Sequence, residues 1–363
     1  MKGKTILGLL LFFMMFLIPF LSMGAKIPDK TDKPNRSGSL SSAQPQRPQS
    51  QSQPQSQSKL PSQVQSQQPQ SAPPAVKNSA QFKILDTKSN QVITVDDRSF
   101  LYGAIVTEMS PESQPEALKA QGVAAYTYYS RLREQERANP TASLKGADFS
   151  ADTQGWQKYV TKAQMQERWG SKFDEYYNKL TQVVNAVYGQ VLKSGDDLAD
   201  ATYYAISSGN TETSEDIWGG KRTYLVSVAS PGDIFAGGYQ TTVTLSAEQF
   251  KAAALKIAPK ASLVADAAKW VGTVSRTASG SVKSIEIGGV SVTGNDARNA
   301  FSLRSANFTV TCKNNTFTFV VKGYGHGVGM SQVGADYMAS QGSTYKQILS
   351  WYYPTTSLTT INT

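Results

Sequence analysis

Apolar positions along the chain change period several times, and each change marks a boundary. From Ile6 to Met23 only Gly8, Pro19 and Ser22 interrupt a run of Leu, Phe, Met and Ile, with Lys2 and Lys4 before it. A run of this length approaches the ~20 residues a helix needs to cross a bilayer. It exceeds the ~7–15 residues of a signal-peptide core. It predicts an uncleaved single-pass anchor with the amino terminus inside, a signal cleaved after Ala25 being the alternative. Either places the bulk of the protein outside the cytoplasmic membrane. Residues 26–80 are then dominated by Gln, Ser and Pro. Such a segment cannot bury enough surface to offset its ordering entropy. It predicts a disordered tether with a reach of roughly 40 Å.

Periodic patterning begins near Gln81. Phe82–Leu85 and Gln91–Val95 read as strands joined by a turn at Thr87–Asn90. Asp96 or Asp97 then caps a helix carrying Leu101, Ala104, Ile105 and Glu108. A second helix opens with Pro115 in its first turn and ends before Pro140. Further helices fall around Lys162–Arg168 and Phe173–Tyr188. A polar Ser/Gly/Thr segment covers Ser207–Gly220. Alanines make 235–270 read as mostly helical. Strand-like runs follow at Trp270–Thr277, Ser281–Ile287 and Val290–Thr293, then a hairpin of Phe308–Thr311 and Phe317–Val321. There is no internal repeat. Segregated helical and antiparallel-strand blocks argue for an α+β domain over residues 81–363.

One stretch breaks every period. Gly323-Tyr324-Gly325-His326-Gly327-Val328-Gly329 alternates glycine with other residues and holds the chain's single histidine. Alternating glycine is poor strand material. It suits a backbone that turns sharply or approaches a ligand closely. Beyond Gln332, the apolar positions Ala335, Met338, Ala339, Ile348, Leu349 and Trp351 read as short helices.

Charge changes the picture less than it first suggests. The net charge is +9, but residues 1–80 hold nine Lys and Arg against two Asp. That segment carries +7 and leaves +2 for the folded part, too little for a phosphate-binding footprint, so no nucleic acid is expected. One Cys and one His exclude both an intrachain disulfide and a Cys/His zinc site. No carboxylate spacing suggests a harder metal, and no cofactor is expected.

Glu108 is the candidate for chemistry. It shares a helix face with Leu101, Ala104 and Ile105, near the helix's carboxy end. Desolvation and the negative end of the helix dipole would both favour its protonated form. Those are conditions for a general acid near neutral pH. Glu112 and Glu116 read as dipole-compensating residues at a helix start. Glu212 and Glu215 read as solvated, weak candidates for a second carboxylate.

The glycine run, with Met330-Ser331-Gln332 and the later Ile348-Leu349-Ser350-Trp351-Tyr352-Tyr353-Pro354, resembles the carboxy-terminal signature of the stage II sporulation protein D family, which includes the amidase enhancers. Val106–Pro111 followed by Glu116–Ala125 resembles its amino-terminal motif. Ser207–Asn210 through Ile217–Gly219, then Tyr224-Leu225, resembles its central motif, and Leu303–Phe308 the segment before the final loop. The similarity spans about residues 82–357. It implies that Glu108 is the catalytic acid. It points to substrate contacts at Ser207, Ser208, Tyr224, His326 and Gln332. Three departures stand out. Tyr126 occupies a position where the family commonly has Arg, so a substrate contact passes to tyrosine or is lost. Val333 replaces the usual Tyr. Residues around Asp148–Tyr159 lack the Cys and His through which some members hold a metal.

The resemblance implies a membrane-anchored lytic transglycosylase that cleaves peptidoglycan glycan strands, in septal wall remodelling and engulfment during sporulation. Such an enzyme needs one carboxylate, whereas most glycosidases need two. Its partners would be glycan strands, a cell-wall amidase and membrane proteins of the engulfment machinery. The alternative is a non-catalytic wall-binding amidase enhancer. For His326, a bond to substrate and a bond to its own loop's backbone weigh equally.

Overall fold

The computed structural model describes residues 80–153, 156–264 and 266–361. The expectations for Ile6–Met23 and for residues 26–79 lie outside the described residues. Those described belong to one unit, Asn78–Thr363. Among them no helix is long and apolar enough to cross a membrane.

The first hairpin pairs Gln81–Asp86 antiparallel with Gln91–Asp96. Its turn is built by Asp86, whose carboxylate accepts from Lys88 N and Ser89 Oγ. Helix α1 (Asp97–Glu108) follows, capped by Asp96 through Ser99 N at 2.9 Å. Helix α2 (Pro115–Ala138) is the axis of the larger core. Its small residues let neighbours come close: an added Cβ at Gly122 would lie 3.1 Å from Ile105 and 3.3 Å from Val187. Helices α3 (Lys162–Trp169) and α4 (Phe173–Val187) come next. Thr161 caps α3 through a reciprocal box with Gln164. Val183, Val184 and Val187 of α4 join Leu101, Ile105, Leu118 and Val123 in that core.

The α1–α2 contact hides a buried charge. Asp97 is fully buried and accepts from Arg133 Nη1 at 2.8 and 2.9 Å and from the Tyr126 hydroxyl at 2.7 Å. Arg133 in turn lies over the Phe82 ring, 4.3 Å from its centroid. Every partner is needed, because removing one side of a buried ion pair leaves an uncompensated charge.

Short helix α5 (Ser214–Trp218) lies in the polar Ser/Gly/Thr segment. The region 235–270 corrects the expectation of mostly helix. Gln240–Ser246 is a strand, α6 is confined to Ala247–Ile257, and a single 3-10 turn covers Ala267–Lys269. The Thr-Thr-Val-Thr-Leu alternation carries period 2 there, and the following alanines mask it. Gln240–Ser246 pairs with Thr316–Lys322, which also pairs with Phe308–Lys313. The tight turn of that hairpin uses Asn314 and Asn315 at φ 51 and 58. A second sheet orders Val271–Arg276, Val282–Ile287 and Val290–Thr293. With α6 and α7 (Gly294–Ala300) these strands enclose a separate core, in which Phe250 stacks on Phe317 at 3.8 Å and on Phe301 at 4.7 Å.

The mixed helix and antiparallel-strand content is therefore α+β, arranged as two cores. The chain leaves the first core near Tyr239 and returns at Gly323. Those two points are pinned together, since Gly323 N donates to Tyr239 O at 2.7 Å. Helices α8 (Gln332–Ser340) and α9 (Tyr345–Tyr352) then pack on α2. The final strand, Ser357–Thr360, pairs with Gln190–Ser194.

Candidate active site

The end of α1 is fixed by sequence. Ser110 precedes Pro111 and is steered away from helical backbone, so the helix stops at Glu108 and Met109 turns extended. Glu108 is thereby left partly buried at the helix's negative end. The start of α8 faces it. Ser331 caps that helix by accepting from Gly334 N at 3.2 Å. Gln332, its first residue, donates through Nε2 to Glu108 Oε2 at 3.2 Å and to Gln121 Oε1 of α2 at 3.4 Å. Three phenols complete the surroundings. Burial, and after it the Glu108 charge, push Tyr129 and Tyr203 well above the usual tyrosine value. Tyr128 is raised by burial first, with Asp200 and Glu108 adding to it. All three keep their protons at any physiological pH. Tyr129 and Tyr203 also influence each other, each adding to the other's surroundings. A carboxyl group thus sits among neutral donors.

The glycine run supplies the wall of this site. Gly323, Gly325, Gly327 and Gly329 all have positive φ, at 79, 117, 85 and 83. The loop lies against residues 202–212 so closely that side chains cannot intervene. A Cβ on Gly329 would stand 2.0 Å from Thr202 O, and one on Gly327 2.9 Å from Glu212 Cγ. Ile206 and Tyr324 exchange backbone bonds, Glu212 N donates to Gly327 O, and Met330-Ser331 pairs parallel with Tyr203-Tyr204. Beneath this seam lies Asp233, fully buried. Its carboxylate accepts from Ser207 N, Ser331 Oγ and Ser230 Oγ, and Ser230 bonds the Tyr352 hydroxyl. Burial raises the Asp233 pKa, and those three donors oppose the rise. One carboxylate thus ties the polar segment, the glycine run and α9 together.

The model of the family described as "Stage II sporulation protein" matches residues 85–193 of this chain. The chain is 34% identical to stage II sporulation protein D of Bacillus amyloliquefaciens over 284 residues, 78% of this chain and 80% of the relative. It is 32% identical to stage II sporulation protein D of Bacillus subtilis strain 168 over 273 residues, 75% of this chain and 77% of that protein. The chain belongs to the stage II sporulation protein D family. The amidase enhancer of the same B. subtilis strain is 27% identical over 71% of this chain, a match spanning 40% of that longer protein.

Within this family member, the residues singled out from sequence separate into two groups. Glu108 and Gln332 are in direct contact. His326 reaches the same place through backbone: its Nδ1 accepts from Val328 N at 3.1 Å, so its Nε2–H donates to Tyr203 O at 3.1 Å. Both ring nitrogens are used by main chain. Burial and the Arg298 charge pull its pKa down to about 4, against a smaller upward pull from Tyr203 O. The ring is therefore neutral, and it braces the loop. The remaining residues are bound elsewhere. Ser207 is buried, its Oγ accepting from Gly209 N at 3.1 Å. The Ser208 carbonyl accepts from the Tyr239 hydroxyl. Tyr224 is buried and its hydroxyl accepts from Asp200 N at 2.8 Å. Tyr126 lies in the core on Asp97, not in the site, so a tyrosine at that position leaves no gap facing a ligand.

The other carboxylates also need correction. Glu212, expected in solvent, is 2% exposed. One oxygen accepts from Thr277 Oγ1 at 3.1 Å, and the other has no hydrogen-bond partner among the described residues. Glu215 is exposed. Glu112 precedes α2 and accepts from the Tyr176 hydroxyl at 2.6 Å. Glu116 holds Lys119 and also Tyr345 N of α9. Among the described residues no group of three or more His, Cys, Asp and Glu could hold a metal ion. Gln121, Tyr128, Tyr129, Tyr203 and Asp233 were not foreseen. A Tyr-Tyr pair in mid-helix and a Ser-Pro-Gly-Asp turn give no signal until the fold brings them to Glu108 and Ser331.

The neutral, clamped imidazole makes a direct prediction. As the chain's single histidine, His326 gives one Hε1 resonance in the NMR spectrum, free of overlap from other imidazoles. It should stay flat from about pH 8 down to about 5 and move only near pH 4. The unfolded chain takes up this proton first, near its ordinary value of about 6.5. His326 therefore subtracts stability as pH falls from 6.5 to about 4 and adds no pH dependence above that window. A midpoint between about 6 and 7 would contradict the brace.

Proposed function

We propose that this protein cleaves the glycan strands of peptidoglycan as a lytic transglycosylase, with Glu108 as its acid and base. The observation that carries the reading is the setting of Glu108. It is a partly buried carboxyl at a helix carboxy end, oriented by Gln332 and surrounded by protonated phenols. In the first step the Glu108 proton passes to the glycosidic oxygen, and the bond from that oxygen to the sugar C1 breaks. The carboxylate left behind stabilises the oxocarbenium-like sugar. In the second step Glu108 takes the proton of that sugar's own C6 hydroxyl while its oxygen bonds to C1. No water is consumed and Glu108 ends protonated, as it began. The attacking hydroxyl is already tethered, so most of its entropy of approach is absent. That is why one carboxylate suffices where water-directed hydrolysis takes two.

In this reading Gln332 orients the acid, and the phenols of Tyr128, Tyr129 and Tyr203 stay uncharged around it. The site residues and the extracytoplasmic, membrane-anchored location through Ile6–Met23 belong to this same proposal. A second reading, a wall-binding amidase enhancer, draws on the similarity to the B. subtilis protein of that name. The Tyr126 departure adds nothing to it, because that side chain is bound in the core. Digestion decides between the two. Purified chain incubated with glycan strands should yield fragments ending in anhydro-muramic acid by mass spectrometry. Intact strands that co-purify with the protein would favour the enhancer.

A further inference from the structure

Trp218 is a large apolar ring on an otherwise polar segment, and 47% of it is exposed. It is held firmly all the same. It ends α5, which Thr213 caps by accepting from Asp216 N at 3.0 Å and which Gly219 closes at φ 76. Asp216 is tied to Lys283 at 2.9 Å, and Ile217 O accepts from Asn295 Nδ2 at 3.4 Å. One side of the indole lies against the His326 ring, with centroids 5.2 Å apart. That imidazole is clamped by backbone on both nitrogens, and one of the clamps is Tyr203 O. The Tyr203 phenol lies in the field of Glu108. An exposed indole is thus linked by two contacts, through the His326 ring, to Tyr203, whose phenol feels the charge of the acid.

We propose that Trp218 is a stacking platform for one hexopyranose ring of the glycan strand, a subsite that seats the strand beside Glu108. The proposal rests on the glycan-cleavage reading above. A pyranose presents a face of C–H groups, apolar and slightly positive. An indole presents a broad apolar face that is slightly negative. The match needs no charge. The uncharged state of His326 suits this role, because an imidazolium at that distance would compete for the electron-rich ring. Binding energy gained at such a subsite holds the scissile bond in register with the acid.

The test is strand affinity measured in the Glu108→Gln background, where no cleavage disturbs the titration. The probe is purified peptidoglycan glycan strands freed of stem peptides. Trp218→Ala should weaken binding about tenfold, equivalent to about 1.4 kcal/mol. Trp218→Phe, which keeps an aromatic face, should recover most of it. With Glu108 intact, Trp218→Ala should raise KM far more than it lowers kcat. Equal affinities for the Ala and Phe variants, whether both tight or both weak, would overturn the platform. Strand binding without cleavage by the unmodified chain would refute the acid alone, and the Ala–Phe comparison still decides the platform. No strand binding by the unmodified chain would refute both.

Discussion

Glu108→Gln is expected to lower glycan cleavage by about 10²-fold or more, the usual worth of a positioned general acid. The amide keeps the carboxyl's shape but has no proton that the leaving oxygen can take. Nor can it accept one from the C6 hydroxyl, so both steps fail. Folding should survive. The amide oxygen can still accept from Gln332 Nε2, which holds Glu108 Oε2 at 3.2 Å. Strand binding should survive too, because the neutral amide resembles the protonated acid. Glu112→Gln is the control. Glu112 is exposed and accepts from the Tyr176 hydroxyl, a bond its amide can keep, so activity should stay near that of the parent. The measurement is the rate of anhydro-ended fragment release. A Glu108→Gln protein releasing them at the parent rate would end the assignment. Attention would then pass to Asp200, whose charge also reaches Tyr128.

The second large effect is on stability. Gly329→Ala is expected to cost about 3 kcal/mol or more, in the upper range for single substitutions. Two costs add. At φ 83 any L side chain pays roughly 1–2 kcal/mol for left-handed backbone. The new Cβ would also stand 2.0 Å from Thr202 O. Main chain cannot swing aside there, because Met330 N donates to that same carbonyl at 3.1 Å. Gly342→Ala separates the two terms. Gly342 has φ 90 with nothing within 4 Å of an added Cβ, so it should pay only the backbone strain. Urea unfolding of both variants gives the comparison. Equal midpoints would mean that the close approach of the glycine run to residues 202–212 carries no energy.

Local sequence made much of the first core legible. A cap at Asp96 or Asp97, which the structure gives to Asp96, and the Pro115 start are each set by backbone chemistry within a few residues, as is the Asn314-Asn315 turn in the second core. The glycine run could be read as a close-approach loop for the same reason. Two local signals compete further along the chain. Alanines after Ser246 hid the alternation of Gln240–Ser246, whose pairing with Thr316–Lys322 lies some seventy residues away.

By itself, the sequence determined that Glu108 lies on an apolar face near the carboxy end of a helix and that the glycine run suits a sharp turn or a close approach, because both follow from neighbours along the chain. It also determined family membership, through motifs preserved as short strings. Only the tertiary structure decided which residues stand around Glu108. Gln332 reaches it from a helix more than two hundred residues further along the chain, its amide also held by Gln121, and Tyr203 arrives on a two-residue strand. The fold likewise decided that Tyr126 belongs to Asp97 and that Asp233 holds Ser207 and Ser331. A polar residue type says what it can bond. Which group it meets depends on long-range packing, where the cost of burying an unpaired polar group drives most of them to a partner.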